Sequence, residues 1–240
     1  MNRTEWPKAR LRGILFDFYN TLGTAVDPSA GLLRSTLARF GYSFPTDVLN
    51  SAMHRAWQPF NGAELVEHVD HSSSAESYRN WRSRIELAWL VQLGVDPCPV
   101  DLLHAICAAN DDPVGFRLFD DVRPVMETLH GQGYALGVVS NWGWELREIF
   151  ERERIDHLFD AIVASARCGY RKPHPGIYRH ALQALGLEPH EVLFVGDNPH
   201  TDFEGPARVG IHAILIDRCG PATGQETQIN GLQELLERLK

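Results

Sequence analysis

The stretch that decides the fold is "ILFDFYNTLGTA", residues 14–25. An apolar run, Ile14-Leu15-Phe16, ends at one acidic residue, Asp17, and a turn-like Asn20-Thr21 follows. This pattern reads as a buried strand that delivers a carboxylate to its C-terminal end. Two residues on, where a second carboxylate would complete an acid/base pair, stands Tyr19. Three more short aliphatic runs read as strands of the same kind: 135–139 (ALGVV), 192–195 (VLFV) and 212–216 (HAILI), with a weaker one at 161–163. All are nearly continuous rather than alternating, as in parallel strands covered on both faces. Helical patterns fill the gaps at 124–130, 144–153, 177–185 and 203–209. This strand–helix alternation predicts an α/β fold with an open, Rossmann-like parallel sheet, whose ligands bind beyond the carboxyl ends of the strands.

Residues 26–114 break the alternation. Helical spacing recurs over 30–40, 47–57, 75–93 and 100–109, with Leu32, Leu33, Leu37 and Phe40 on one face and Trp81, Ile85 and Trp89 on another. An all-helical insertion directly after the first strand is expected, with the core made of residues 1–25 and 115–240. "FDDVRP", 119–124, reads as the return linker. Placed over the strand ends, such an insertion can act as a lid. Trp57, Trp81 and Trp89 are expected in its core, and either Trp142 or Trp144 in a pocket wall beneath it.

The composition narrows the function classes. Across 240 residues the formal charge is -8, which argues against general nucleic-acid binding. No run approaches the roughly 20 apolar residues of a membrane span, and the polar opening residues carry no secretory h-region. Cys98, Cys107, Cys168 and Cys219 show neither CxxC spacing nor a disulfide framework. A cytoplasmic location with reduced thiols is the expectation. Nothing in the sequence speaks to oligomeric state.

The strand ends carry the chemistry. After Val139 come Ser140-Asn141; after Val195 come Gly196-Asp197 and, five residues on, Asp202; Arg171-Lys172-Pro173 lies between. Each has a plain structural reading. Asp17 suits a cap or turn, Ser140-Asn141 a turn, Lys172 a solvated loop position, and Asp202 the cap of a helix starting near Phe203. Together they make a coherent set. A carboxylate can attack phosphorus, and Mg²⁺, which takes oxygen ligands, can shield two carboxylates from the anion they face. A hydroxyl, backbone N–H groups and a lysine can hold phosphoryl oxygens.

On "LFDFYNTL", "VVSN", "RKPHPGIY" and "FVGDNPHTDFEGPARVG" the chain resembles the haloacid dehalogenase superfamily of hydrolases, with the helical insertion where that family places its C1 cap. The resemblance implies a catalytic set of Asp17 (the nucleophile), Tyr19, Thr21 and Lys172, and substrate contacts from Ser140, Asn141 and Tyr178. It also implies Mg²⁺ held by Asp17, the Tyr19 carbonyl and Asp197, with Asp202 as an acidic partner. The substrate would be a small phosphorylated metabolite. Family phosphatases place a general acid where Tyr19 stands, so proton delivery, typically worth about 10²–10⁴-fold, is in question. The family's 2-haloacid dehalogenases also read D-x-Y, work without metal, and have a serine- and asparagine-rich fourth motif where this chain has Asp197 and Asp202. Three readings follow: a Mg²⁺-dependent phosphatase, a metal-independent 2-haloacid dehalogenase, and a non-catalytic family member. A substitute acid is sought in "ELVEHVDH", which offers Glu64, Glu67, His68, Asp70 and His71, although a solvated face also explains that run. Asn20 replaces a common glycine; because Asn tolerates left-handed backbone, no functional consequence is expected.

Overall fold

The computed structural model describes residues 10–26, 31–57, 69–220 and 227–240. Six parallel strands form the main sheet: β1 (Gly13–Phe16), β4 (Ala135–Ser140), β5 (Ala161–Ala164), β6 (Val192–Gly196), β7 (His212–Ile216) and β8 (Gln228–Ile229). Their order is β5-β4-β1-β6-β7-β8, so β1 lies between the strands that carry the second and fourth motifs. The register aligns Phe16 with Val138 on one side and Val195 on the other. Asp17, Ser140 and Asp197 therefore leave the sheet at one edge.

Side chains that alternate along β1 build two cores. Ile14 and Phe16 join Leu136, Val138 and Val195 on one face, under α5 (Val122–Gly131), α6 (Leu146–Arg152) and α10 (Leu232–Leu239). Leu15 joins Val139, Phe194 and α8 (Pro175–Leu185) on the other. With both faces covered, neither needs polar residues, which explains the continuous apolar runs. Burying each such side chain contributes roughly 1.5–3 kcal/mol.

Three features depart from the sequence reading. A two-stranded antiparallel ribbon, β2 (Gly23–Ala25) and β3 (Phe116–Leu118), joins the segments entering and leaving the helical stretch. Residues 119–124 do not serve only as a linker, because α5 begins at Val122. The helix expected at 203–209 starts earlier, as a π-helical turn over Pro199–Glu204 that runs into α9 (Gly205–Arg208).

Between β2 and β3 lie α1 (Gly31–Arg39), α2 (Thr46–Trp57), α3 (Ala75–Gln92) and α4 (Val100–Asp111). Leu37, Leu49, Trp89, Leu90, Leu102 and Ile106 form their shared core. Trp81 belongs to a separate cluster, with Tyr78, Ile85 and Ala166 of α7 (Ser165–Cys168), so α3 packs directly on the α/β layer. The Trp57 side chain, like Glu64, Glu67 and His68, lies outside the described residues. Among the described residues, no helix is long and apolar enough to cross a membrane. The four cysteines are free thiols.

Candidate active site

The residue after β1 is where four segments meet. Asp17, 6% exposed, continues the strand through its N–H to the Val195 carbonyl. Its Oδ1 accepts from Ser140 Oγ at 2.9 Å and from Lys172 Nζ at 2.6 Å. Lys172 Nζ also donates to Asp202 Oδ1 at 2.6 Å, so the ammonium is clasped between two buried carboxylates. Lys172 is therefore not the solvated loop residue of the plain reading. Asn141 fixes it in place: its Nδ2 donates to the Lys172 carbonyl at 2.9 Å, and its Oδ1 accepts from the Lys172 N–H at 2.6 Å.

Local geometry explains how the fourth motif delivers its acids. The π-helical turn is capped by Asn198, whose Oδ1 accepts from the N–H groups of His200 and Thr201. That frees Asp202 from capping and turns it inward, where its Oδ2 accepts from the Asn198 N–H. A Cβ at Gly196 would collide with the Asp202 side chain, so only glycine allows this approach. The sequence reading had missed Asn198. Its place just before Pro199, at the start of a helical turn, was the available signal.

Ligand oxygens of Asp17, Asp197 and Asp202 lie within 4.8 Å of one another. Burial pushes the Asp17 carboxyl up to about 6, with Lys172 pulling it down and Asp202 pushing it up. Asp197 is raised mainly by burial, Asn20 opposing. Burial works against the Lys172 ammonium, but Asp17 and Asp202 outweigh it and hold its pKa above the ordinary value. Three carboxylates and one ammonium sum to a formal charge of −2 when all are ionised. An all-oxygen donor set with that surplus fits Mg²⁺, which is held by one or two carboxylates and completes its shell with water and substrate oxygens.

The remaining expected site residues fall in three places. Tyr19 is 38% exposed and stacks on Trp142, ring centroids 6.2 Å apart. Thr21 is fully buried; its carbonyl accepts from Arg218, and its hydroxyl makes no hydrogen bond. Tyr178 requires a correction. It is fully buried beneath the fourth motif, with its hydroxyl donating to the Thr201 carbonyl, so it supports that loop and presents no surface to a substrate. Asn20 also differs from expectation. Its φ of 59° is the left-handed conformation anticipated, but its Nδ2 also donates to Asp197 Oδ2 at 3.3 Å. Of the acid candidates in "ELVEHVDH", His71 stacks on Trp81 and Asp70 is exposed.

Beside this cluster, under α3 and α4, lies a cavity of about 190 Å³. Trp142 lines it, whereas Trp144 packs against the Trp81 cluster with Arg167 over its ring.

The family model described as haloacid dehalogenase-like hydrolase matches residues 14–216. A glyceraldehyde 3-phosphate phosphatase of Methanopyrus kandleri is 33% identical over 212 residues, 87% of this chain and 84% of the relative. An (S)-2-haloacid dehalogenase 4A of Burkholderia cepacia is 30% identical over 123 residues, 49% of this chain and 53% of the relative. Among solved structures, an L-2-haloacid dehalogenase of Xanthobacter autotrophicus with chloropropionic acid covalently bound shares the fold, with a TM-score of 0.67 at 17% identity over 95% of this chain and 97% of that one. A HAD phosphatase of Thermococcus onnurineus gives 0.62 at 22% identity over 95% and 98%.

Proposed function

Because the chain belongs to the haloacid dehalogenase-like hydrolases, we propose that it is a Mg²⁺-dependent phosphatase of a small phosphorylated metabolite, with residues 26–114 as its cap. The observation that carries this reading is the convergence of Asp197 and Asp202 on Asp17. A dehalogenation at carbon, in which halide departs without a proton, needs no such acidic trio. A trio without a cation would only push the nucleophile's pKa up and weaken it.

The chain's own groups define the steps. An Asp17 carboxylate oxygen attacks phosphorus and the ester P–O bond breaks, leaving an aspartyl-phosphate and an alkoxide that must gain a proton. Water then attacks phosphorus, the acyl P–O bond breaks, and Asp17 returns as a carboxylate with release of inorganic phosphate. Ser140 and Lys172 hold Asp17 beforehand and stand where they can take the phosphoryl oxygens. Asn141 holds Lys172 at its backbone. Asp17, Asp197 and the Tyr19 carbonyl would hold Mg²⁺, with Asp202 behind them; bound there, the ion offsets the charge of the phosphoryl group and the carboxylates. Tyr19 lies against Trp142, and a phenol in place of a carboxyl group is poorly suited to give a proton to the leaving alkoxide and then take one from water. The reading therefore favours substrates whose alcohol leaves readily, so the rate should fall steeply as the leaving-group pKa rises.

The D-x-Y motif and the dehalogenase relative support a second reading, a 2-haloacid dehalogenase. One assay separates the two: p-nitrophenyl phosphate and 2-chloropropionate, each with and without EDTA. Phosphate release abolished by EDTA is expected. Chloride release that survives EDTA would replace this reading with the second.

A further inference from the structure

The three acids of the site are not held alike. Asp17 accepts from Ser140 Oγ and Lys172 Nζ. Asp202 accepts from Lys172 Nζ, from Thr201 Oγ1 at 3.1 Å and from the Asn198 N–H. Lys172 donates to these two carboxylates. Among the described residues, Asp197 has instead a single side-chain donor, Asn20, whose Nδ2 meets its Oδ2 at 3.3 Å from 177 positions away in the chain. Asp197 is half-buried, and a carboxylate on one tether is free to turn among its rotamers once that tether is cut.

The turn that carries Asn20 leaves its backbone little freedom. The Phe18 carbonyl accepts from the N–H groups of Thr21, Leu22 and Gly23, and the Asn20 N–H donates to the Gly23 carbonyl at 2.7 Å. Arg218, paired with Asp121, donates to the Thr21 carbonyl through Nε at 2.9 Å and Nη2 at 2.7 Å. Within that frame the φ of Asn20 is 59°. The position therefore makes two demands: a residue that enters the left-handed region, and a short donor that reaches Asp197. Glycine meets only the first. Aspartate also meets the first, but when ionised it has no donor and sets a like charge against Asp197. Asparagine meets both.

We infer that Asn20 is a positioning residue for Asp197: its amide holds the carboxylate in the orientation that brings it to Asp17 and Asp202, ready for a divalent cation. The inference rests on the Mg²⁺-dependent reading for the identity of that cation. Groups that hydrogen-bond a ligating carboxylate help to set the affinity of a metal site.

Two substitutions with opposite effects on the backbone test it. Asn20→Gly removes the amide and suits a positive φ, so stability in EDTA, read by denaturant titration, should match or exceed that of the wild type. Asn20→Ala removes the same amide but keeps a Cβ there, so its stability should fall. Mg²⁺ affinity, read from the rise of the melting temperature with Mg²⁺ concentration, should weaken by about tenfold in both variants. The Mg²⁺ concentration that half-activates p-nitrophenyl phosphate hydrolysis should rise by the same factor. A merely structural residue would move stability and leave affinity alone, so unchanged affinity in either variant overturns the inference. Weakening in Asn20→Gly alone would trace the loss to a looser backbone and overturns it equally. A wild-type melting temperature that ignores Mg²⁺ defeats the Mg²⁺ reading and this inference together. A wild type that responds, with variants that respond to the same degree, defeats this inference alone.

Discussion

Two buried ionic groups lie side by side in this molecule and differ in how the chain assembles them. In the α/β core, Lys172 is clasped by Asp17 and Asp202, partners 155 and 30 residues away. In the helical stretch between β2 and β3, Arg82 meets Glu86 one helical turn along α3. The core group brings three carboxylates against one ammonium and so has room for a cation. The cavity wall beside the α3 pair holds both signs, Arg82 and Arg171 with Asp111 and Glu145. Burial makes the imbalance of the core group costly. Long-range assembly thus brings the candidate chemistry together, while the local pair on α3 meets a buried carboxylate within one helical turn.

The largest effect should come from breaking the core group at its centre. Asp17→Asn keeps the shape and removes the proposed nucleophile, so phosphate release should fall by about 10³-fold or more; substantial residual turnover would place the nucleophile elsewhere. Next is Lys172→Met, which leaves Asp17 and Asp202 buried without their shared cation. In EDTA this should cost about 3–5 kcal/mol of stability. The sign with pH follows from the carboxyls: their folded pKa values rise further, so the protonated forms favour folding. The deficit should be small near pH 5 and grow toward pH 8, read by denaturant titration at each pH.

On α3, Glu86→Gln should cost about 2 kcal/mol, because it removes the charge that meets Arg82, and denaturant titration would read it. Asp111 offers the smallest effect and the opposite sign. Burial, with Glu145 adding to it, pushes its carboxyl up to about 6. A folded pKa above the ordinary value means that stability is lost as pH rises from about 4 through 6. Asp111→Asn should therefore leave stability unchanged near pH 4 and raise it at pH 8. Solvent reaching the cavity keeps the gain at about 1–2 kcal/mol; a thermal melt at the two pH values would show it.

The legible parts of the sequence share a physical cause. Ile14-Leu15-Phe16 and its counterparts are covered on both faces, so burial is written into consecutive residues, and the strand ends follow from where each run stops. The ribbon of β2 and β3 was not legible. Each strand is three residues long, and its pairing joins positions more than ninety residues apart. Asp202 looked like a helix cap because capping depends on local sequence, and Asn198, four residues earlier, had already met that need. Tyr178 sits in a motif, yet motif membership does not say which way a helix face turns; here it turns into the core. Arg82, Glu86, Asn110 and Asp111 carried no signature at all, since charged and amide residues at helical spacing also describe any solvated face.

The sequence by itself determined the α/β alternation, the strand-end acids and the family, because hydrophobic runs and motif spacing are properties of neighbouring residues. Only the tertiary structure decided that Lys172 lies between two aspartates, that Tyr19 rests on Trp142, and that two arginines from separate segments face one cavity. Those relations are distances between residues far apart in the chain, and a charge acts on whatever folding brings within a few ångströms of it.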